Sequence, residues 1–156
     1  MTKIYFPSLL FVPASFLIYS VTAILFSYDS LEEWILVLGV ISDFFIILVV
    51  LRYAFFTNFF KITLFMYFTS IFYVILSFSF LYSVVGVYEM DGHLAYDYWS
   101  NIYFSTITWT ALGYGDMYPS VESRKYVMLE VFVGYIHMSL LVSLVLKYLE
   151  RGMSHE

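Results

Sequence analysis

The sequence predicts an all-α membrane protein with four transmembrane helices and one short re-entrant helix followed by a loop. Three observations lead there. The 156 residues are 62% hydrophobic and only 12% charged, too few charges to cover a soluble domain of this size. The apolar residues fall in long blocks, several of which reach the roughly 20 residues that a bilayer-crossing helix needs. One further apolar block is too short to cross and runs into a loop with alternating glycines.

The first block covers about 6–27 and carries Pro13, a kink that a membrane helix tolerates where neighbours re-satisfy the freed carbonyl. Lys3 followed by apolar residues has the start of a signal peptide. The run is long and lacks a small-residue cleavage site, so an uncleaved first span is expected. The acidic turn 28–33 follows, in which Ser30 and Glu33 have capping-box spacing for the next helix. The second block runs from about Trp34 to Leu51 and stops at Arg52, so 1–52 form a two-span N-terminal unit. Residues 53–60 are aromatic with two polar members, which suits an interfacial linker. The third block covers 61–88, the acidic stretch 89–97 reads as an exposed loop, and 98–110 is the half-length helix. The last span covers 124–149, and 150–156 form a short tail.

With four spans both termini share one side. Placing them in the cytoplasm puts Lys3, Arg52, Lys61, Lys147 and Arg151 inside and leaves Arg124, Lys125 and most acids outside. The positive-inside rule favours this multi-pass, cell-membrane orientation, with lipid as the surrounding partner.

Composition also excludes functions. There is no cysteine, hence no disulfide, thiolate metal site or cysteine nucleophile. Seven scattered Lys and Arg make no basic patch for nucleic acid. No His, Asp or Glu cluster has metal-ligand spacing and no nucleophile–base motif is present, so neither an enzyme nor a cofactor is expected. The first two spans lack the arginine series of a voltage sensor.

Function concentrates after the half-length helix. Irregular backbone at membrane depth is tolerated only where protein buries it or where it lines a water-filled path. The loop is Leu112-Gly113-Tyr114-Gly115-Asp116. Glycine enters left-handed backbone without steric cost, and alternating handedness lets successive carbonyls face one axis. Such a ring can replace the water shell of a cation.

These residues resemble the pore loop of potassium channels, whose usual pattern is Thr-Val-Gly-Tyr-Gly-Asp. Ala111 to Asp116 carry the likeness, Met117-Tyr118-Pro119 is similar to the stretch after the filter in voltage-gated members, and 105–110 is similar to the hydroxyl-rich end of the pore helix. The likeness covers 61–149, which it divides into outer helix 61–88, pore helix 98–110, filter 111–116 and inner helix 124–149. It implies a filter built from Thr110, Ala111, Leu112, Gly113, Tyr114, Gly115 and Asp116, with potassium ions held at the carbonyls of Leu112, Gly113 and Tyr114. One loop cannot surround an ion, and family filters use four, so a homotetramer is implied.

The resemblance assigns further roles. Tyr103 and Phe104 stand where the family packs aromatics around the filter, and Thr108 lies in the hydroxyl-rich support. Asp116 fits either a hydrogen bond behind the filter or a solvated ring that attracts cations. Gly134 fits a gating hinge and, equally, close helix packing. Tyr135, Met138 and Val142 share one helical face and would line an inner cavity. Glu130, an acid within the last span, is expected either to hold the back of the pore helix at Thr106 or Thr108, or to lie near the outer interface beside a base. Asp43, in the second span, fits a proton sensor, a counter-charge, or a packing hydrogen bond to a hydroxyl of a neighbouring span such as Thr22 or Tyr73. His137 and His93 either titrate near neutral pH or simply pack and face water.

The pattern breaks at Ala111, where the family has Thr, and a weakened innermost ion site is expected there. Three functions compete: a potassium-selective channel, a weakly selective monovalent cation channel, and a non-conducting accessory or scaffold subunit that keeps the fold.

Overall fold

The computed structural model describes residues 41, 45, 47–52 and 60–153. The first block, the linker 53–59 and Asp43 lie outside the described residues. Helix α1 spans Phe60–Val85, strand β1 Val87–Glu89, helix α2 Tyr98–Trp109, strand β2 Met117–Pro119 and helix α3 Arg124–Met153. Residues 47–52 are helical too, and Ile47 and Val50 are buried in clusters with residues of α1 and α3.

Two helices, Lys61–Val85 and Arg124–Glu150, are long and apolar enough to cross a membrane. Helix α2 has 12 residues and is about 18 Å long, well short of a bilayer of about 30 Å. It packs chiefly against α1 and then against α3. Phe78, Leu81 and Tyr82 of α1, Phe104 and Ile107 of α2, and Val133 of α3 form the centre of the core. Phe65, Phe68 and Phe72 lie on α1 at helical spacing and are exposed. In lipid, apolar burial no longer drives helices together, so close packing and hydrogen bonds must do so.

Helix α1 ends at Val85, three residues before its expected end at Tyr88. Gly86, with φ +90°, breaks the helical repeat there. The terminal carbonyls then find side-chain donors across the fold. Ser120 Oγ donates to Val85 O over 2.8 Å, and Ser123 Oγ donates to Gly86 O. Such orphan carbonyls are costly when buried without partners. Here they join the end of α1 to the start of α3.

The same junction makes a small antiparallel ladder, which the all-α expectation lacked. Val87 pairs with Pro119, Tyr88 with Tyr118 and Glu89 with Met117, and the two tyrosine rings stack at 5.6 Å. The stretch 89–97 is largely exposed, as expected of a loop, and backbone hydrogen bonds order it. Tyr88 bridges to Leu94, and Ala95 is buried with its N–H on Val87 O. Helix α3 continues to Met153, past the expected end at Leu149. Apolar composition marks the bilayer-thick part of a helix, while the hydrogen-bonded spiral continues through Glu150 and Arg151.

Candidate functional site

Helix α2 starts on a cap. Asp97 has extended backbone, and its carboxylate accepts from Ser100 N over 2.9 Å. The hydrogen bonds from Ser100 hold this carboxyl below its ordinary range, so it remains an acceptor through neutral pH. Asn101, fully buried, donates to the carbonyls of Ala95 and Asp97 and ties the incoming chain to the helix.

At its other end α2 turns directly into the loop. Thr110 caps the helix and its Oγ1 donates to Thr106 O over 2.8 Å. Ala111 N donates to Thr108 O at 3.0 Å and Leu112 N to Ile107 O at 2.9 Å. From there the chain is free of the helix, and Ala111 to Asp116 are all exposed. Backbone φ is positive at every second residue: Ala111 at 55°, Gly113 at 54° and Gly115 at 82°. Alternating handedness is the pattern that lets successive peptide carbonyls line one side. The spacing of the glycines hinted at it, but an alanine as its first member is a structural finding.

The far end of the loop is fastened by side chains. Tyr103 OH donates to Asp116 Oδ2 over 2.6 Å, and the rings of Tyr103 and Tyr114 lie parallel at 6.5 Å. Of the two roles open to Asp116, the structure gives it a hydrogen bond back to α2. Phe104 points the other way, buried edge-on against Tyr82 at 5.0 Å.

Glu130 is fully buried and does bond to the back of the half-length helix, as expected, but its hydrogen-bond partner there is Ser105 and neither Thr106 nor Thr108. Oε2 accepts from Tyr82 OH over 2.6 Å, and Oε1 lies 2.5 Å from Ser105 Oγ. Ser105 is on the buried side of α2, whereas Thr106 is only partly buried and turns its hydroxyl to Ile102 O. Thr108 is buried and serves the loop through its carbonyl.

One turn further along α3, a Cβ built on Gly134 would stand 2.2 Å from Trp109 O, at the C-terminus of α2. Close packing is therefore what the structure shows for Gly134, within an unbroken helix. Tyr135, Met138 and Val142 are exposed, while Glu130, Val133, Gly134 and His137 form the buried stripe. His137 is a packing residue. Its Nδ1 is 3.0 Å from Val133 O, its Nε2 is 3.2 Å from Ser70 Oγ, and its ring meets Trp109 edge-on. His93 sits in the turn after β1, where its backbone N–H donates to Asp91 Oδ1. Sequence reasoning missed Tyr82 and Ser70, whose only signal was a hydroxyl inside an apolar block, and placed Ser105 in the hydroxyl-rich end of the helix without its partner.

Among the described residues no group of three His, Cys, Asp or Glu side chains could hold a metal ion.

A family model described as Ion channel matches residues 68–151, more than half the chain. The chain belongs to this ion channel family. No curated protein and no solved structure matches it. The matched part of the channel begins inside α1 and ends inside α3, so it takes in α2, the loop and both strands. The family and the two long apolar helices together place the channel in a membrane.

For the channel, Tyr103→Phe removes the phenol that holds Asp116. The expected result is ion current that decays several-fold faster under sustained opening, because the loop loses the anchor at its far end. Tyr103→Trp, which keeps an N–H donor, is expected to restore much of the lifetime. Planar-bilayer recordings of both variants check it.

Proposed function

We propose that the chain is one subunit of a homotetrameric, potassium-selective channel that conducts passively through a filter of backbone carbonyls. The observation that carries this reading is the left-handed backbone at Ala111, Gly113 and Gly115 in an exposed loop at the end of a half-length helix. A potassium ion sheds its water only where several carbonyl oxygens replace it, and four loops around an axis supply them. Leu112, Gly113 and Tyr114 would offer the principal carbonyls, with Thr110 and Ala111 at the inner end and Asp116 at the mouth. Helix α2 would point the negative end of its dipole toward the cavity below the filter, where it favours a cation.

A homotetramer also accounts for the surfaces that one chain leaves open. The loop and Phe132, Tyr135 and Ile136 of α3 are exposed on the single subunit. Tyr135, Met138 and Val142 would face the inner cavity. The termini would lie in the cytoplasm of a cell-membrane protein, with the β1–β2 ladder outside.

Flux and reversal potentials under bi-ionic conditions, measured on purified protein in liposomes and bilayers, test the proposal. Permeability to potassium well above that to sodium is the expected result. Equal permeabilities would leave a weakly selective cation channel, which the loss of the Thr hydroxyl at Ala111 favours. Absence of flux would leave an accessory subunit.

A further inference from the structure

The contacts around Glu130 hold more hydrogen bonds than the obvious protons can fill. Three short oxygen–oxygen contacts meet here. Tyr82 OH is 2.6 Å from Glu130 Oε2, Ser105 Oγ is 2.5 Å from Glu130 Oε1, and Ser105 Oγ is also 2.9 Å from Ile75 O. Each needs one hydrogen. Tyr82 supplies one and Ser105 supplies one, while Ile75 O, a carbonyl, supplies none. An ionised carboxylate is acceptor-only and would leave either the Ile75 or the Glu130 contact of Ser105 without a proton.

We infer that Glu130 is held as a neutral carboxylic acid whose proton completes a hydrogen-bond relay through the three helices. Glu130 Oε1–H donates to Ser105 Oγ, Ser105 Oγ–H donates to Ile75 O, and Tyr82 OH donates to Glu130 Oε2. Every contact then carries one hydrogen. The surroundings agree with the count. The carboxyl is fully buried, and the groups that touch it, Tyr82 from α1 and Ser105 from α2, are hydroxyls and not cations. A buried charge without a charged partner is costly, and a neutral acid avoids that cost. Because Ile75 and Tyr82 are on α1, Ser105 on α2 and Glu130 on α3, the relay positions the half-length helix between the two long ones. Glu130 is thus a positioning residue that acts through Ser105 and has no contact with the ion path.

The test is made on the full chain in lipid and has two arms. Infrared difference spectra of wild type against E130Q at neutral pH read the protonation directly. A protonated-carboxyl C=O stretch that is present in wild type and lost in E130Q is expected, and a spectrum without that loss overturns the inference. The second arm rests on the proposed potassium conduction. Glutamine has an N–H donor and a carbonyl acceptor in the same places, so E130Q is expected to assemble and keep potassium flux and selectivity within about twofold of wild type. E130V, which cannot relay, is expected to lose most of both. An E130Q protein that fails to assemble, or that loses flux as fully as E130V, overturns the relay, because a charge would then be required. Should wild type itself carry no flux, the conduction reading fails while the infrared arm still decides the state of Glu130.

Discussion

Gly134→Ala is expected to damage the channel more than any other single-methyl addition along α3. The new Cβ would stand 2.2 Å from Trp109 O, and an ordinary contact begins near 3.4 Å, so α2 and α3 must separate by about 1 Å. The obstacle is a backbone carbonyl at a helix terminus, which cannot rotate aside as a side chain would. Overpacking a tight site costs about 3 kcal/mol at the upper end of the usual range, and this site has little means of relief. The displaced group is also the last turn of α2, from which Ala111 and Leu112 hang by their N–H bonds to Thr108 and Ile107. A shift there moves the root of the loop. Lower thermal stability and altered ion selectivity should therefore appear together. A hinge glycine would behave otherwise, with opening probability changed while stability and selectivity stay as in wild type. Melting curves and bi-ionic potentials on the same preparation separate the two, and the second pattern would return Gly134 to the hinge role.

The close approach at Gly134 shows where sequence reasoning stops. The long helices were legible because bilayer thickness forces a length on them, and Lys61–Val85 and Arg124–Glu150 carry that length in plain composition. The half-length α2 was legible by the same measure read in reverse. The loop was legible because left-handed backbone selects glycine, although Ala111 at φ 55° has no such mark. What could not be read was pairwise. Val87–Glu89 and Met117–Pro119 are three residues each, too short for an alternating pattern, and they exist because the end of α1 and the start of α3 are brought side by side. Glu130 was flagged as an acid in an apolar helix, yet Tyr82 lies 48 residues away and its choice over Thr106 or Thr108 depends on how α1 and α2 face α3. A glycine that faces a carbonyl reads the same as one that faces lipid.

Alanine at Gly113 and at Gly115 is expected to impair the loop unequally, and the order follows from backbone angle alone. At neither glycine would a Cβ meet any atom of the chain within 4 Å, so crowding within the subunit plays no part. The cost lies in the left-handed conformation, about 1–2 kcal/mol for an L-residue. That well is narrow, with φ between roughly +50° and +70°. Gly113 at 54° lies inside it, as Ala111 does at 55°, and Ala111 demonstrates that the loop accepts an alanine at such an angle. Gly115 at 82° lies outside, where a Cβ is opposed more strongly. Gly115→Ala is therefore expected to distort the peptide next to Asp116 and to raise relative sodium permeability more than Gly113→Ala does. In the proposed homotetramer each cost would be incurred four times, which would enlarge the difference. Ala111→Gly serves as the control. It relieves the strain at φ 55°, about 1–2 kcal/mol, against about 0.4–1 kcal/mol of freedom returned to the unfolded chain, so it should stabilise the protein slightly. Permeability ratios for the three variants decide the matter. If Gly113→Ala proves the more harmful of the pair, carbonyl placement rather than backbone strain governs the loop, and the alternating-angle account fails.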